Sequence, residues 1–165
     1  MTPPPRFTLS QWADETRVLS TENSAEPGRW LTARAEYQRG IMDAISDPRI
    51  ERVVLMTSAR VGKTQIGNNA IGYHIDHDPC PIMAVFPTLA DAENWSKGEL
   101  APMLRDTPSL AGRVRAPRSR DADNTIYRKG FPGGQMFLVG ANSPSGLAAK
   151  TIRLLFCDEV DRYPA

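Results

Sequence analysis

The sequence predicts an α/β fold with a mainly parallel sheet flanked by helices, and three observations support this prediction. Short apolar runs without polar alternation recur along the chain, which is typical of strands that are buried on both faces. Segments with helical spacing lie between these runs, and such alternation favours parallel strand pairing. A chain of 165 residues also predicts one domain with room for a substantial core.

Composition excludes several classes of protein. The formal net charge of +1 excludes a uniformly basic nucleic-acid binder, so any contact with DNA needs a local patch. The two cysteines, Cys80 and Cys157, make no disulfide framework and indicate a reducing compartment. No apolar stretch approaches the roughly 20 residues of a membrane span, so we expect no membrane partner.

In chain order, residues 1–30 indicate a lead-in with one helix, and residues 31–165 form the main domain. The first helix starts at Thr8, which opens a capping-box pattern, and it is expected to end near residue 19. The second predicted helix covers 33–46, because Pro48 cannot continue it.

Strands and helices then alternate. The run 52–56 is β-branched and apolar, which predicts a strand buried on both faces. Further helices are predicted over 64–75 and 89–100, and the second carries acidic residues in its first turn. The remaining predicted strands are 81–86, 125–129, 135–140 and 151–157, of which the middle two are expected to form a hairpin.

A phosphate-binding loop is predicted between the strand 52–56 and the helix that follows it. Its residues are Thr57, Ser58, Ala59, Arg60, Val61, Gly62, Lys63 and Thr64. The pattern G-x-x-x-x-G-K-[ST] is complete except that Thr57 replaces the first glycine. Backbone N–H groups at the helix start would bind phosphate oxygens, Lys63 would reach the terminal phosphates, and Thr64 would ligate Mg²⁺. We therefore expect ATP and Mg²⁺ as cofactors, with Lys63 as a catalytic residue.

An acidic turn follows the last predicted strand. The run Leu154-Leu155-Phe156-Cys157-Asp158-Glu159 has the Walker B form, an apolar strand that ends in two acids. Asp158 would hold Mg²⁺, and Glu159 would act as the general base that polarises the attacking water. The loop and the acidic turn together predict a P-loop NTPase.

Three motifs resemble the ATPase domain of the phage terminase large subunit, in the GpA-like family. They are the runs 58–64, 143–147 and 155–161, and the resemblance extends from about residue 30 to residue 164. It implies a motor that hydrolyses ATP to package double-stranded DNA. The implied partners are DNA, the small terminase subunit, the portal or procapsid and further copies of the motor, in the cytoplasm of the host cell.

The resemblance also implies roles for residues outside the two motifs. Tyr37 and Gln38 match an adenine-contacting segment, or they are simply two polar residues on a helix face. Arg60 is similar to a loop arginine of some terminases, which would stabilise the transition state as a catalytic residue in cis. Arg60 would equally well bind Glu159 or another acid before ATP arrives.

In the family that the chain resembles, a further central strand, a coupling motif and a C-terminal nuclease domain follow the Walker B strand. Only residues 160–165 follow it here, so we expect a fragment that is truncated after this strand, with an open place in its sheet. Such a piece is expected to be weakly stable alone.

Two other functions stay open: a helicase-like DNA-dependent ATPase, and a nucleotide-binding or assembly module that does not hydrolyse ATP. A basic stretch offers a candidate DNA contact, with a solvated loop face as the alternative. Its members are Arg105, Arg113, Arg115, Arg118, Arg120, Arg128 and Lys129.

Overall fold

The computed structural model describes residues 6–114, 125–148 and 150–164. Its helices are α1 (Leu9–Thr16), α2 (Tyr37–Ser46), α3 (Lys63–Asp76), α4 (Leu89–Trp95), α5 (Ala101–Asp106) and α6 (Pro144–Leu147). Its strands are β1 (Val18–Leu19), β2 (Gly28–Arg29), β3 (Ile82–Phe86), β4 (Arg128–Phe131), β5 (Gly134–Gly140) and β6 (Leu154–Cys157). Within these residues, no helix combines the length and apolarity needed to cross a bilayer.

The main sheet is mixed and has the strand order β4-β5-β3-β6. Strand β3 runs parallel to both β5 and β6, and β4 turns back antiparallel to β5 as the predicted hairpin. The prediction of an α/β fold is therefore confirmed. The carboxyl ends of β3, β5 and β6 lie at one edge of the sheet, which is where ligands bind in open α/β sheets.

The two faces of the sheet are covered unequally. On one face, Ile82, Ala84 and Phe86 of β3 join the large core that the helices complete. On the other face, Met83 and Val85 belong to a small cluster that is covered by partly buried side chains. All residues of β3 are buried, as the unbroken apolar run predicted.

The N-terminal helix packs into the same core as the sheet. Thr8 and Gln11 form the predicted capping box, and the helix ends at Thr16, earlier than predicted. Leu9 and Trp12 are fully buried against α2 and α3. A short hairpin of β1 and β2, which the polar sequence did not indicate, follows this helix. The boundary at residue 30 stays a prediction.

The predicted strand 52–56 is wrong, because residues 51–58 have no regular structure. Val54 is 79% exposed and Met56 97% exposed, and only Leu55 packs against the core. A strand needs a neighbouring backbone edge with which to pair. The edge strands of the described sheet are β4 and β6, and residues 51–58 pair with neither of them. The apolar run 52–56 is therefore part of a largely exposed connection.

The predicted helix 89–100 is broken into two parts. Helix α4 ends at Trp95, and a π-helical turn, Ser96–Leu100, leads into α5. The wider turn adds a residue per turn, so it rotates the side chains that follow. Glu99 of this turn points back toward α3, where its Oε2 accepts hydrogen bonds.

Candidate active site

Helix α3 begins at Lys63, and its start has no side-chain cap. Gly62 occupies the N-cap position with φ of 82°, and no side chain bonds to the first-turn N–H groups. The first turn also carries no acidic residue. Backbone donors at a helix start that lack such partners attract anions, aided by the helix dipole. The sequence Gly62-Lys63-Thr64 therefore forms a local geometry that suits phosphate.

The first half of the predicted phosphate loop is exposed. Residues 57–60 have no regular structure, and the Thr57 hydroxyl donates to the carbonyl of Ser58 at 3.2 Å. Arg60 has a φ of 61°, in the left-handed region that non-glycine residues rarely adopt. Glu159 shares this property with a φ of 49°, and in the described residues the non-glycine residues with positive φ are these two. Strained backbone of this kind concentrates at functional sites.

Tyr37 and Gln38 lie against the phosphate loop. The Tyr37 hydroxyl and Gln38 Nε2 both donate to the Val61 carbonyl, at 2.8 Å and 3.2 Å. A Cβ placed on Gly62 would lie 2.5 Å from Gln38 Nε2, so this contact requires glycine. Gln38 Oε1 is buried and accepts no hydrogen bond from the described residues. The pair thus supports the loop backbone, and its role toward adenine stays a prediction.

The acidic turn lies at the carboxyl end of β6. The Asp158 N–H donates to the Val85 carbonyl at 3.0 Å, which fastens the turn to β3. The Tyr163 hydroxyl donates to the same carbonyl at 2.8 Å. Burial and the neighbouring Glu159 raise the pKa of Asp158, while Lys63 and Arg162 oppose this rise. A bound divalent cation would offset the free energy that is lost when this partly buried carboxylate is desolvated.

Helix α3 approaches β6 close to where the phosphate loop ends and the acidic turn begins. A Cβ built on Gly67 would lie 2.5 Å from Cε2 of Phe156, so only glycine permits this approach. Gly67 lies one turn after Lys63, and Phe156 lies two residues before Asp158. The first turn of the helix and the end of the strand are therefore neighbours, and Lys63 contributes to the electrostatics of Asp158.

Sequence analysis missed Arg162. Its guanidinium donates to the Glu159 carboxylate from a short 3₁₀ turn, Val160–Arg162. The same guanidinium lies 3.7 Å from Asp91 Oδ2 in the first turn of α4. The alternative in which Arg60 pairs with Glu159 is not what the structure shows, since Arg162 makes this contact. A basic residue three positions after the acid was the available signal.

The donors present fit a nucleotide-bound Mg²⁺ ion. Within the described ranges, no group of three or more His, Cys, Asp or Glu residues is arranged to hold a metal by itself. Mg²⁺ does not need such a group, because it is usually held by one or two carboxylates together with phosphates and water. The Thr64 hydroxyl and the Asp158 carboxylate are hard oxygen donors of this type.

The described members of the basic stretch bind nearby side chains or are buried. Arg113 pairs with Asp76 at 2.7 Å, and Arg105 pairs with Glu22 at 2.9 Å. Lys129 is buried, and burial lowers its pKa. Arg115, Arg118 and Arg120 lie outside the described residues, and Arg128 donates to Gln135 at 3.0 Å. The described members thus favour local pairing over a shared DNA contact.

The fold and the site together define an α/β protein in which an uncapped helix start and an acidic turn meet at the carboxyl edge of a mixed sheet. Comparison with known proteins gives the family. The chain belongs to the family of the phage terminase large subunit gpA, ATPase domain, whose model matches residues 24–165. The resemblance inferred from the three motifs is thereby confirmed.

Two curated relatives are terminase large subunits. That of Escherichia phage lambda is 32% identical over 157 residues, which is 94% of this chain and 24% of the relative. That of Enterobacteria phage P21 is 30% identical over 161 residues, which is 97% of this chain and 25% of the relative. The chain thus spans about a quarter of the length of these relatives. No solved structure matches it significantly.

Proposed function

We propose that this chain is the ATP-hydrolysing part of a terminase large subunit and that its P-loop drives the packaging of double-stranded phage DNA. One observation carries the proposal: the close approach of Gly67 to Phe156, which brings the uncapped start of α3 beside the acidic turn. Phosphate donors and acidic residues on neighbouring elements are what nucleotide hydrolysis requires. Membership of the gpA ATPase family supports the same reaction.

In this proposal the residues of α3 bind the triphosphate. The first-turn N–H groups and the Lys63 ammonium bind the phosphate oxygens. The Thr64 hydroxyl and Asp158 hold Mg²⁺, which when bound neutralises charge that develops on the phosphates. Burial raises the pKa of Asp158 and the positive charge of Lys63 opposes this rise, so the two side chains interact electrostatically.

Glu159 orients the attacking water and accepts its proton. Its carboxylate is held by Arg162, so the base has a defined position before nucleotide arrives. The backbone of Glu159 is left-handed, so the chain leaves the extended course of β6 at this residue. Arg60 supplies the charge that stabilises the transition state, as an arginine finger in cis does. Tyr37 and Gln38 contact the adenine, with Gln38 Oε1 as an unused acceptor for an amino group.

A packaging motor needs partners besides its nucleotide. We propose double-stranded DNA, the small terminase subunit, the portal of the procapsid and further motor copies, in the host cytoplasm. The two curated relatives carry the name of terminase large subunit, which is the basis for this part of the proposal. We also propose that the complete large subunit contains a nuclease domain.

The test compares three variants of the complete gene product in Mg·ATP binding and turnover. Lys63→Ala is expected to abolish binding, while Lys97→Ala, an exposed lysine paired with Glu93, keeps it. Glu159→Gln is expected to bind Mg·ATP normally and to lose about 10²–10⁴-fold in turnover, the usual contribution of a general base.

Other outcomes separate the rival functions. Binding without turnover in the parent protein would favour a non-hydrolysing module. Turnover coupled to strand separation instead of DNA translocation would favour a helicase-like enzyme. Unchanged nucleotide binding in Lys63→Ala would refute the assignment of the phosphate loop.

A further inference from the structure

A buried polar network lies on the side of α3 that faces the N-terminal helix. Arg17, at the junction of α1 and β1, is only 2% exposed. Its Nε donates to Asn69 Oδ1 and its Nη2 to Gln65 Oε1, both at 3.1 Å, and its Nη1 donates to the Val18 carbonyl. A guanidinium buried this deeply is costly unless its donors are satisfied.

The carboxylate that balances this charge comes from the π-helical turn. Glu99 Oε2 accepts from Gln65 Nε2 at 3.1 Å and from Asn68 Nδ2 at 3.0 Å. The Gln65 amide therefore bridges the guanidinium of Arg17 and the carboxylate of Glu99. A positive group on its oxygen and a negative group on its nitrogen fix the amide in one orientation.

The amide side chains of the network occupy one stripe of α3. Gln65, Asn68 and Asn69 have the spacing i, i+3 and i+4, so they share a helix face. Asn68 and Asn69 are fully buried, and Asn68 Oδ1 also accepts from Trp95 Nε1 at 3.0 Å. Apolar residues would fill such a stripe in an ordinary core helix. Polar side chains at these positions specify one placement of the helix, because a shift would leave buried groups unpaired.

We propose that Arg17, Gln65 and Glu99 are positioning residues that hold the start of α3 in the geometry that binds nucleotide. This inference rests on the proposed function. Gln65 directly follows Thr64, so the network is attached one residue beyond the proposed Mg²⁺ ligand. The start of α3 has no side-chain cap, and the preceding connection 51–58 is irregular and largely exposed. Among the described residues, and apart from the contacts of Tyr37 and Gln38 with the Val61 carbonyl, the network is the polar restraint nearest to this end of the helix.

The inference assigns a function to the N-terminal helix and to the π-helical turn. Arg17 belongs to the N-terminal segment, and Glu99 belongs to the turn after α4. Neither touches the phosphate loop, and both act through Gln65. Movement of either segment would change the position of the first turn of α3 and hence the affinity for nucleotide.

The test measures amide hydrogen exchange and Mg·ADP affinity in the complete gene product that carries Gln65→Met. This change removes the Gln65 hydrogen bonds of both Arg17 and Glu99, while Arg17 keeps Asn69 and Glu99 keeps Asn68 as a partner. Exchange at residues 66–69 is expected to rise about tenfold while exchange at 72–75 of the same helix stays near the parent rate. The affinity for Mg·ADP is expected to fall about tenfold, because a smaller fraction of molecules is competent to bind.

Two further variants keep the test decisive if Gln65→Met does not fold. Glu99→Gln preserves shape and an acceptor but removes the balancing charge, and it should give the same pattern with smaller changes. Arg34→Met is the control, because Arg34 forms an exposed pair with Glu26 and should change neither measurement.

Equal acceleration at both ends of α3, or no acceleration at residues 66–69, would overturn the inference. A local rise in exchange with unchanged Mg·ADP affinity would also overturn it, because the network would then be merely structural. If the parent protein binds no Mg·ADP, the proposed function fails. The exchange contrast then still decides whether the network positions the start of α3.

Discussion

The two sides of helix α3 differ in how they are supported. On the side of the N-terminal helix, Arg17 is buried in a closed polar network and Trp12 is fully buried. On the side of the preceding connection, residues 51–58 are irregular, and Met56 is almost completely exposed. Helix α3, which carries the candidate phosphate site, is therefore well packed toward the N-terminal helix, whereas the connection that precedes it is exposed.

An apolar pattern in a sequence indicates that a segment is suited to burial. Whether the segment is buried in the folded protein depends on the neighbouring elements that are available to cover it. The N-terminal helix packs against elements of the described chain. The run 52–56 has the composition of a buried strand, yet it pairs with neither edge strand of the described sheet. Strand β6 is exposed in the same way, since Leu155 is 55% accessible.

The largest effect is expected on the packed side. Trp12→Ala should lower the free energy of unfolding by about 3–5 kcal/mol, because it removes a large buried ring and leaves a cavity. It also deletes the hydrogen bond that Trp12 Nε1 donates to Asp76 Oδ2 at 2.8 Å. Urea denaturation followed by circular dichroism measures the change.

Val54→Ser on the open side provides the contrast. Val54 is largely exposed, so this change should alter the free energy of unfolding by about 0.5 kcal/mol or less. A loss comparable to that of Trp12→Ala would mean that residues 51–58 are covered in solution, and the comparison of the two sides would fail.

The next effect concerns the contact that joins the two motifs. Gly67→Val should cost about 1–3 kcal/mol of stability, because its side chain would overlap the Phe156 ring. It should also weaken Mg·ADP binding, since α3 must move away from β6. Pairing it with Phe156→Leu should recover part of both losses by freeing space. Calorimetric unfolding and ADP titration of the two variants measure this, and independent, additive losses would contradict the packing argument.

A smaller effect on stability is expected at Arg162. Arg162→Ala removes exposed ion pairs with Glu159 and Asp91 and should leave the free energy of unfolding almost unchanged. Turnover should fall about tenfold or more at unchanged KM, because general-base catalysis contributes about 10²–10⁴-fold and the base loses its fixed position. Arg49→Ala, which removes an exposed pair with Asp47, is the matched control. Equal kcat values in parent and Arg162→Ala would exclude a positioning role.

The smallest effect is a pH dependence on the packed side. Burial lowers the pKa of His74 below its ordinary value of 6.5, against the influence of Asp78. The unfolded chain therefore binds a proton at pH values where the folded protein does not, so stability falls as pH drops through 6.5. Thermal unfolding between pH 8 and pH 5.5 should show this slope, and His74→Gln should reduce it. A steeper slope in His74→Gln would assign the effect to other groups.

Much of the fold could be predicted from local pattern. The unbroken apolar run at 82–86 became the fully buried strand β3, and the capping box at Thr8 started α1. The hairpin of β4 and β5 formed where two strands flank a turn that contains glycine. These elements depend on neighbours close in sequence or on burial alone, so one sequence suffices to predict them.

The failures share a physical cause, which is that they depend on contacts distant in sequence. The strand 52–56 needed to pair with a distant strand edge. The hairpin of β1 and β2 lies in a polar stretch without an apolar pattern, and Val18 in its first strand donates to the hydroxyl of the distant Thr107. The π-helical turn after Trp95 depends on where Glu99 finds its partners on α3. Local propensity contains no information about such pairings.

The candidate site was predicted unevenly for a related reason. Gly62, Lys63, Thr64 and the acidic turn follow from a short motif, and the structure brings these elements together. The contact of Gln38 with the Val61 carbonyl and the contact of Arg162 with Glu159 depend on tertiary geometry. The chemical roles of all these residues stay predictions.

The left-handed backbone at Arg60 and Glu159 has a consequence for selection. A non-glycine residue in this region costs on the order of 1–3 kcal/mol, and glycine would relieve most of that cost. Random mutagenesis scored for heat resistance alone should therefore enrich glycine at both positions. Variants chosen in this way would gain thermal stability as they lose the side chains on which turnover is proposed to depend, so a thermostabilised variant should be selected for stability and turnover together.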